Sequence, residues 1–157
     1  MLGRAFNQLL NQDPRLSVTA LARNELDVTQ APGVEEAFAR YQPRIVLNCA
    51  AFTDVDRCER DPEGAHLGNV VGPRVVAEAC MRTGASLVHI STDFVFNGKS
   101  TRPYSESDQA EPISAYGRSK LEGERAVAAA CTNALIVRTA WTFGLGRDNF
   151  ITKVIRR

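Results

Sequence analysis

The stretch SLVHISTDFVF, residues 86–96, begins as a short aliphatic run at 86–91 and continues into a polar exit. Similar short runs occur at 16–21 (LSVTAL), 44–50 (RIVLNCA) and 134–139 (ALIVRT). None of these runs alternates between polar and apolar residues, and such continuous strands are typical of parallel sheets that helices cover on both faces. We therefore predict four strands of one parallel sheet.

Longer segments with helical periodicity separate the strands. They cover residues 3–12, 30–41, 61–83 and 114–130, and several of them end near a glycine or a proline. This alternation predicts an α/β doubly wound, Rossmann-like parallel sheet with the strand order 3-2-1-4-5. The long segment 97–113, rich in turn-forming residues, is predicted to be a functional loop.

The two ends of the sequence are unusual for this fold. A doubly wound domain normally begins with a strand and a glycine-rich turn, whereas this sequence begins with a predicted helix. At the other end, NFITKVIRR (149–157) resembles the start of a further helix. We interpret residues 1–157 as a partial domain that lacks its first, central strand and a C-terminal substrate lobe, and we expect this piece alone to bind a dinucleotide poorly.

Composition narrows the classes of function. Of the 157 residues, 44% are hydrophobic and 24% are charged, which suits one globular domain, and a net charge of +1 indicates no broad surface for nucleic acid. No run of 18 apolar residues and no secretion signal is present. The four cysteines are widely spaced, with only two histidines as co-ligands. These features predict a cytoplasmic protein with reduced thiols, without a metal site, a membrane span or a nucleic-acid partner.

Tyr116 and Lys120 are candidates for acid–base chemistry. Four residues separate them in a predicted helix, so the phenol and the ammonium group project from one face. A nearby cation favours the phenolate and lowers the pKa of a phenol from about 10 toward neutrality. The spacing predicts a tuned proton donor, although an ordinary surface pair on an amphipathic helix has the same spacing.

Ligands of parallel sheets bind at the carboxyl ends of the strands, so the residues after each predicted strand are further candidates. A hydroxyl of Ser91 or Thr92, beside Asp93, could hydrogen-bond a substrate oxygen, or these side chains could merely close the strand. The small residues Cys49, Ala50 and Ala51 would let a flat ligand approach the backbone, and a tight helix contact would need small residues too.

The segment ARNELDV, 22–28, follows the predicted strand 16–21, where dinucleotide-binding domains read the adenosine ribose. Arg23 could meet a 2′-phosphate, which favours NADPH, or it could be an exposed loop arginine. Asp27 and Val28 could flank an adenine, while Asp27 could equally cap the next helix.

Two further side chains have open interpretations. Trp141, just past the last predicted strand, could lie in the core or stack on a ring at the mouth of the sheet. His89, in the middle of a strand, is predicted to be a core or partly buried histidine.

Taken together, the motifs resemble the dTDP-4-dehydrorhamnose reductase family of extended short-chain dehydrogenase/reductases. The resemblance covers nearly the whole sequence, and its most specific part is STDFVF followed 24 residues after Thr92 by YGRSK. The matching strings are LDVT at 26–29, P-x-I-V-x-N-x-A-A-x-T-x-V-D-x-x-E at 43–59, STDFVF at 91–96, PYSESD at 103–108, P-x-S-A-Y-G-x-S-K-L-x-G-E at 112–124, RTAW at 138–141 and NF at 149–150.

The resemblance implies reduction of a 4-keto nucleotide sugar by NADPH or NADH, in a pathway to rhamnose or another polysaccharide sugar. Tyr116 would protonate the carbonyl oxygen, Lys120 would lower the pKa of Tyr116 and hold the nicotinamide ribose, and Thr92 would hydrogen-bond the same oxygen. Asp93 and Trp141 would contact the nucleotide sugar.

The same resemblance implies the rest of the cofactor site. Gly3 looks like the last glycine of G-x-x-G-x-x-G, whose other residues and strand lie outside the sequence. The expected cofactor contacts are Gly3, Arg23, Asp27, Val28, Cys49, Ala50, Ala51, Tyr116 and Lys120. A structural Mg²⁺ in the C-terminal lobe and a homodimer are expectations for the full-length protein.

Two other functions stay open at this stage. The same fold and residues would suit an epimerase or dehydratase of another nucleotide sugar, since a fold does not fix a function. A non-catalytic NADP-binding regulatory subunit, similar to the β subunit of methionine adenosyltransferase, could also retain the tyrosine and the lysine.

Overall fold

The computed structural model describes residues 2–144 and 154–155. At its centre is a parallel sheet of three strands, β1 (Ile45–Asn48), β2 (Ser86–Thr92) and β3 (Ala134–Thr139), in the order β1-β2-β3. The register places Leu47 opposite Val88 in the first pair of strands. Helices lie between successive strands, which confirms the predicted Rossmann-like class.

The described residues form six α-helices. They are α1 (Leu2–Leu10), α2 (Ala31–Tyr41), α3 (Val55–Arg60), α4 (Pro62–His66), α5 (Gly72–Thr83) and α6 (Ala115–Ala130). A π-helical turn, Leu67–Val71, joins α4 to α5, and a 3₁₀ turn, Asp93–Val95, follows β2. The predicted helix 61–83 is therefore helical throughout but changes its hydrogen-bonding pattern in the middle.

Local capping explains where α6 begins and where α5 ends. The Ser114 hydroxyl accepts a hydrogen bond of 3.0 Å from the Gly117 N–H, which satisfies a donor in the first turn of α6. At the end of α5, Gly84 adopts a φ of 76°, a left-handed conformation that glycine accepts without strain. The Ser114 cap thus fixes the start of α6, the helix that carries the tyrosine and the lysine.

The main core lies between the sheet and helices α2, α5 and α6. Its buried side chains include Val34, Phe38, Val76, Leu87 and Val127. Each large aliphatic or aromatic side chain buried here stabilises the fold by about 1.5–3 kcal/mol. The core thus holds α6 against β2 and sets the geometry at the carboxyl end of that strand.

The predicted strand at 16–21 is wrong. These residues form no strand, and Leu16 and Leu21 are 47% and 37% exposed. A strand needs a neighbour to complete its hydrogen bonds, and in the predicted order this neighbour is the first strand, which none of the described residues supplies. The apolar pattern alone was therefore insufficient.

The three strands pair in chain order. The structure pairs β1 directly with β2, and β2 with β3, all in parallel. A strand pattern does not reveal which neighbour a strand will pair with.

The other elements fall close to their predicted ranges. Residues 97–113 contain no helix or strand, as expected. The predicted helix start at 149–157 falls mostly outside the described residues. Within residues 2–144 and 154–155, no helix combines the length and the apolar character needed to cross a bilayer.

Candidate active site

The structure brings Thr92, Tyr116 and Lys120 together at the carboxyl end of β2. Thr92 ends the strand, and the other two residues lie in the first turns of α6. All three are buried, with exposed fractions of 6%, 8% and 1%. The Thr92 side chain lies close enough to the Tyr116 phenol to act to lower the pKa of that group. The predicted residues thus form one buried cluster.

The predicted lowering of the Tyr116 pKa is wrong in this structure. Burial raises the pKa of the phenol above its ordinary value of 10, and it outweighs the lowering effect of the Thr92 side chain. The nearby Cys58 and Asp93 also raise it. Helical spacing predicted the proximity of a cation but could not reveal how far the phenol would be removed from water.

Lys120 directs its amine inward, toward β2. Its Nζ donates a hydrogen bond of 2.8 Å to the Ile90 carbonyl oxygen and lies 3.4 Å from Nε2 of His89. Burial lowers the pKa of Lys120 to about 8, and the Glu124 carboxylate partly opposes this effect. The amine is therefore close to its titration point at neutral to mildly alkaline pH.

His89 is a core histidine, as the sequence predicted. Its side chain is fully buried, and its Nδ1 lies 3.3 Å from the Asn48 side-chain amide nitrogen. Burial, followed by the charge of Lys120, lowers the pKa of His89 to about 3, so the imidazole is neutral. A line of polar groups thus runs through the core from β1 across β2 to α6.

Asn69, in the π-helical turn, is a positioning residue that the sequence analysis missed. Its side chain is fully buried and makes hydrogen bonds with both backbone groups of Phe52, at 2.8 and 3.0 Å. It also donates to the Ser119 hydroxyl at 3.0 Å, and Ser119 donates to the Tyr116 carbonyl oxygen. Asn69 therefore ties α6 to the segment after β1. The only signal in the sequence is an amide within a predicted apolar helix.

A buried ion pair, also missed, lies behind Thr92. The Glu124 carboxylate accepts hydrogen bonds from the Arg138 guanidinium at 3.0 and 2.7 Å. It also accepts one from the Ser91 hydroxyl. Ser91 therefore braces the site instead of facing a substrate, and the network ties α6 to β2 and β3. Its members are 14 and 33 residues from Glu124, too far apart for a local pattern to reveal.

Gly3, Cys49, Ala50 and Ala51 were predicted to line a cofactor. The structure places Gly3 of α1 against Cys49, because a Cβ added at Gly3 would lie 3.5 Å from the Cys49 Cβ. Ala50 and Ala51 are exposed just after β1, and the Ala50 N–H donates to the Asn48 side chain at 3.0 Å. Burial raises the pKa of the Cys49 thiol. These small side chains leave the backbone after β1 accessible.

Asp27 and Val28 lie immediately before α2. Asp27 accepts hydrogen bonds from both the backbone and the hydroxyl of Thr29, at 3.0 and 2.8 Å, and these bonds lower its pKa. Val28 packs against the main core. Arg23 is exposed in a turn. Asp27 therefore does not cap α2, whose N-cap is Gln30 without a side-chain cap hydrogen bond; it closes a turn onto Thr29 instead.

The side expected to face a substrate contains aromatic residues. Phe94 meets the Tyr116 ring edge-on, with 5.5 Å between ring centroids. Beside it, Asp93, Phe94, Tyr104 and Ile113 line a cavity of about 290 Å³, so the loop 97–113 contributes to this surface. Trp141 is 71% exposed and has a φ of 49°, which excludes the core position weighed for it.

The part of the chain that the structure describes contains no group of three or more His, Cys, Asp or Glu arranged to hold a metal ion. The Mg²⁺ expectation concerned a C-terminal lobe and stays a prediction without support here.

Comparison with known proteins finds relatives along the whole chain. A family model described as "RmlD substrate binding domain" matches residues 1–157. A dTDP-4-dehydrorhamnose reductase of Streptomyces griseus is 45% identical over 157 residues, which cover 99% of this chain and 51% of the relative.

Solved structures give the same result. A dTDP-4-dehydrorhamnose reductase from Clostridium acetobutylicum has a TM-score of 0.94 and 41% identity. The match covers 99% of this chain and 55% of the Clostridium chain. Its counterpart from Bacillus anthracis, solved in complex with NADP, has a TM-score of 0.90 and 36% identity, covering 96% and 54%. The chain spans about half the length of the curated relatives it matches.

Proposed function

The chain belongs to the RmlD substrate binding domain family, and we propose that it carries the catalytic residues of an NADPH-dependent reductase of 4-keto nucleotide sugars. The observation that carries this proposal is the buried cluster of Thr92, Tyr116 and Lys120 at the carboxyl end of β2. Relatives named dTDP-4-dehydrorhamnose reductase support a substrate of the dTDP-4-dehydrorhamnose type, and the NADP complex of the Bacillus anthracis relative supports NADPH.

The residues around the cluster fit a nicotinamide cofactor. Cys49, Ala50 and Ala51 present accessible backbone after β1, where a flat ring needs close approach. A charged Lys120 amine has three donors, one of which bonds the Ile90 carbonyl oxygen, so a further donor is available for a ribose hydroxyl.

At the adenosine end, the proposed contacts are Gly3, Asp27 and Val28, with Arg23 for a 2′-phosphate. Residues 1–157 would then form part of an NAD(P)-binding Rossmann domain. When bound, NADPH supplies the hydride for the carbonyl carbon.

Tyr116 is proposed as the proton donor. As the carbonyl carbon is reduced, negative charge develops on its oxygen, and the Tyr116 hydroxyl donates its proton to that oxygen. The product is an alcohol, and the phenolate left behind is stabilised by the Thr92 hydroxyl and by a charged Lys120. The high pKa of the buried phenol keeps it protonated until the carbonyl oxygen becomes the stronger base.

The test uses the full-length protein with Tyr116→Phe. Oxidation of NADPH in the presence of dTDP-4-dehydrorhamnose should fall by about 10²- to 10⁴-fold, the usual contribution of a general acid. NADPH binding, measured by fluorescence titration, should change little because the ring is retained. Tyr41→Phe is the matched control, since Tyr41 is 39% exposed at the end of α2.

Other outcomes point to the alternatives. Turnover of a nucleotide sugar without net consumption of NADPH would replace the reductase by an epimerase or dehydratase. If the biological activity of the protein survives Tyr116→Phe unchanged, the regulatory-subunit function is favoured. A homodimer remains a prediction for the full-length protein.

A further inference from the structure

His89 occupies a position that the proposed mechanism does not use. Its ring is fully buried between Asn48 of β1 and Lys120 of α6, with Nδ1 3.3 Å from the Asn48 amide nitrogen and Nε2 3.4 Å from the Lys120 amine. Both neighbours present nitrogen atoms to the ring. A neutral imidazole offers one acceptor and one donor, so the two contacts cannot be of the same kind.

The Asn48 side chain decides which ring nitrogen carries the proton. Its Oδ1 accepts a hydrogen bond of 3.0 Å from the Ala50 N–H, and this bond fixes the orientation of the amide. The NH₂ group therefore points at His89 and donates to Nδ1. Because Nδ1 must accept, the proton of the neutral ring lies on Nε2.

The Nε2–H of this tautomer faces the Lys120 amine. A charged ammonium group has three donors and no acceptor, so its N–H groups would face the Nε2–H donor without forming a hydrogen bond. An uncharged amine has one lone pair, which accepts a hydrogen bond from Nε2–H. The same amine donates to the Ile90 carbonyl oxygen at 2.8 Å, which holds it in place beside the ring. Only the uncharged amine satisfies every hydrogen-bonding group along this line.

We propose that His89 is a positioning residue for Lys120: held by Asn48 as the Nε2–H tautomer, it donates a hydrogen bond to the Lys120 amine and favours its uncharged form in the cofactor-free protein. The tautomer and its effect on the amine are properties of this chain alone. Only the consequence for turnover rests on the proposed reductase function.

The charged and titratable groups around the amine agree with this arrangement. Glu124, one turn further along α6, raises the pKa of Lys120, but its carboxylate is already paired with Arg138 of β3. Tyr116, on the same helix, is neutral because burial raises its pKa. From the sheet, His89 faces the amine as a neutral ring. The pKa of Lys120 is accordingly lowered to about 8.

This arrangement sets the direction of the pH dependence. The charged amine, which stabilises a phenolate, is present below the Lys120 pKa and is lost as the pH rises through about 8. The reductase should therefore lose turnover on the alkaline side near this value. A change that reverses the His89 tautomer should move the loss to higher pH.

The first test reads the tautomer directly, without substrate. In the full-length protein labelled with ¹⁵N-histidine, a long-range ¹H–¹⁵N correlation spectrum distinguishes the two neutral tautomers and the imidazolium ion. The His89 signals, assigned by their loss in His89→Gln, should show the Nε2–H tautomer at about pH 7. His66, with a side chain 58% exposed, is the internal control. An Nδ1–H tautomer or a charged ring would overturn the proposal.

The second test reverses the tautomer with Asn48→Asp. The new carboxylate keeps an acceptor for the Ala50 N–H and accepts a hydrogen bond from Nδ1–H, so Nε2 becomes an acceptor for the charged amine. The alkaline limb of turnover should move up by about one pH unit or more. Asn133→Asp is the control for added charge, because Asn133 is exposed and bonds Ser86 at the opposite end of the strands. An unchanged limb in Asn48→Asp, with the tautomer reversed, would overturn the proposal.

The two proposals fail in different ways. If the protein does not turn over a 4-keto nucleotide sugar, the proposed function fails, while the tautomer and the pH dependence of NADPH affinity still test His89. If Asn48→Asp does not fold, the spectrum of the unaltered protein decides. A reductase with the wrong tautomer would retain the proposed function and refute the role of His89.

Discussion

Gly123 sets how closely α6 approaches the π-helical turn, and its replacement by alanine should destabilise the protein. A Cβ built at Gly123 would lie 2.0 Å from the backbone oxygen of Asn69 and 3.8 Å from the Cα of Val70. Contacts below 3.0 Å are essentially never observed for a Cβ, so the helix and the turn must separate by about 1 Å. The clashing atom is backbone, which has no alternative rotamer.

The expected cost follows from two opposing terms. Overpacking of this kind costs about 1–3 kcal/mol, and more where rigid backbone must move. Alanine in a helix interior is favoured over glycine by about 1 kcal/mol, which offsets part of the cost. We expect Gly123→Ala to lower the free energy of unfolding by about 2 kcal/mol.

Gly33→Ala is the matched control. Gly33 is also helical, in α2, but its added Cβ would meet only the Leu26 Cδ1 at 3.7 Å, an ordinary contact. This variant should be neutral or more stable by up to about 1 kcal/mol. Urea unfolding of the full-length protein, followed by circular dichroism, measures both variants. Equal stability of the two would refute the close approach of α6 to the π-helical turn.

Two further predictions concern the buried polar groups. Glu124→Gln should destabilise the protein by about 2 kcal/mol, below the usual cost of breaking a buried pair, because the Arg138 side chain is 27% exposed. Glu122→Gln, on the exposed side of α6, should have no measurable effect in the same urea unfolding experiment. Because the pKa of His89 is lowered from 6.5 to about 3, its protonation favours the unfolded chain, and stability should fall as the pH drops below about 6.5. At pH 5 the loss should be about 2 kcal/mol relative to neutral pH, and a parallel pH profile for His89→Gln would contradict this origin.

Elements with local signals were predictable from the sequence. The start of α6 depends on the Ser114 hydroxyl and an N–H three residues later, and the end of α5 depends on a glycine with positive φ. Tyr116 and Lys120 share a face because helical spacing puts them there. Their assembly with Thr92 followed from the rule that parallel strands present their carboxyl ends at one edge of the sheet.

Features that depend on distant partners were not predictable. Residues 16–21 have the composition of a strand, but no residue in the described part of the chain pairs with them. Asn69 reaches Ser119 across 50 residues, and Glu124 meets Arg138 on a different element. Such contacts depend on the way the helices pack on the sheet, and a pattern in a single sequence does not encode this packing.

The protonation states of Tyr116 and Lys120 are better understood together than separately. Burial raises the pKa of the phenol and lowers that of the amine to about 8, so it shifts both groups toward their uncharged forms. A proton donor must be protonated before it acts, so a raised phenol pKa suits the first half of the reaction. In the proposed mechanism the second half produces a phenolate, which a cation beside it would stabilise.

In the proposed mechanism, Lys120 meets this second need in its charged form, which is present below its pKa of about 8. With a pKa of about 8, the amine holds its proton readily once a negative charge is near, because an opposite charge favours the charged form. The role we propose for the lysine is therefore to stabilise the phenolate that the reaction creates, not to acidify the tyrosine beforehand. The neutral His89 fits this proposed role, since it adds no permanent charge beside the amine.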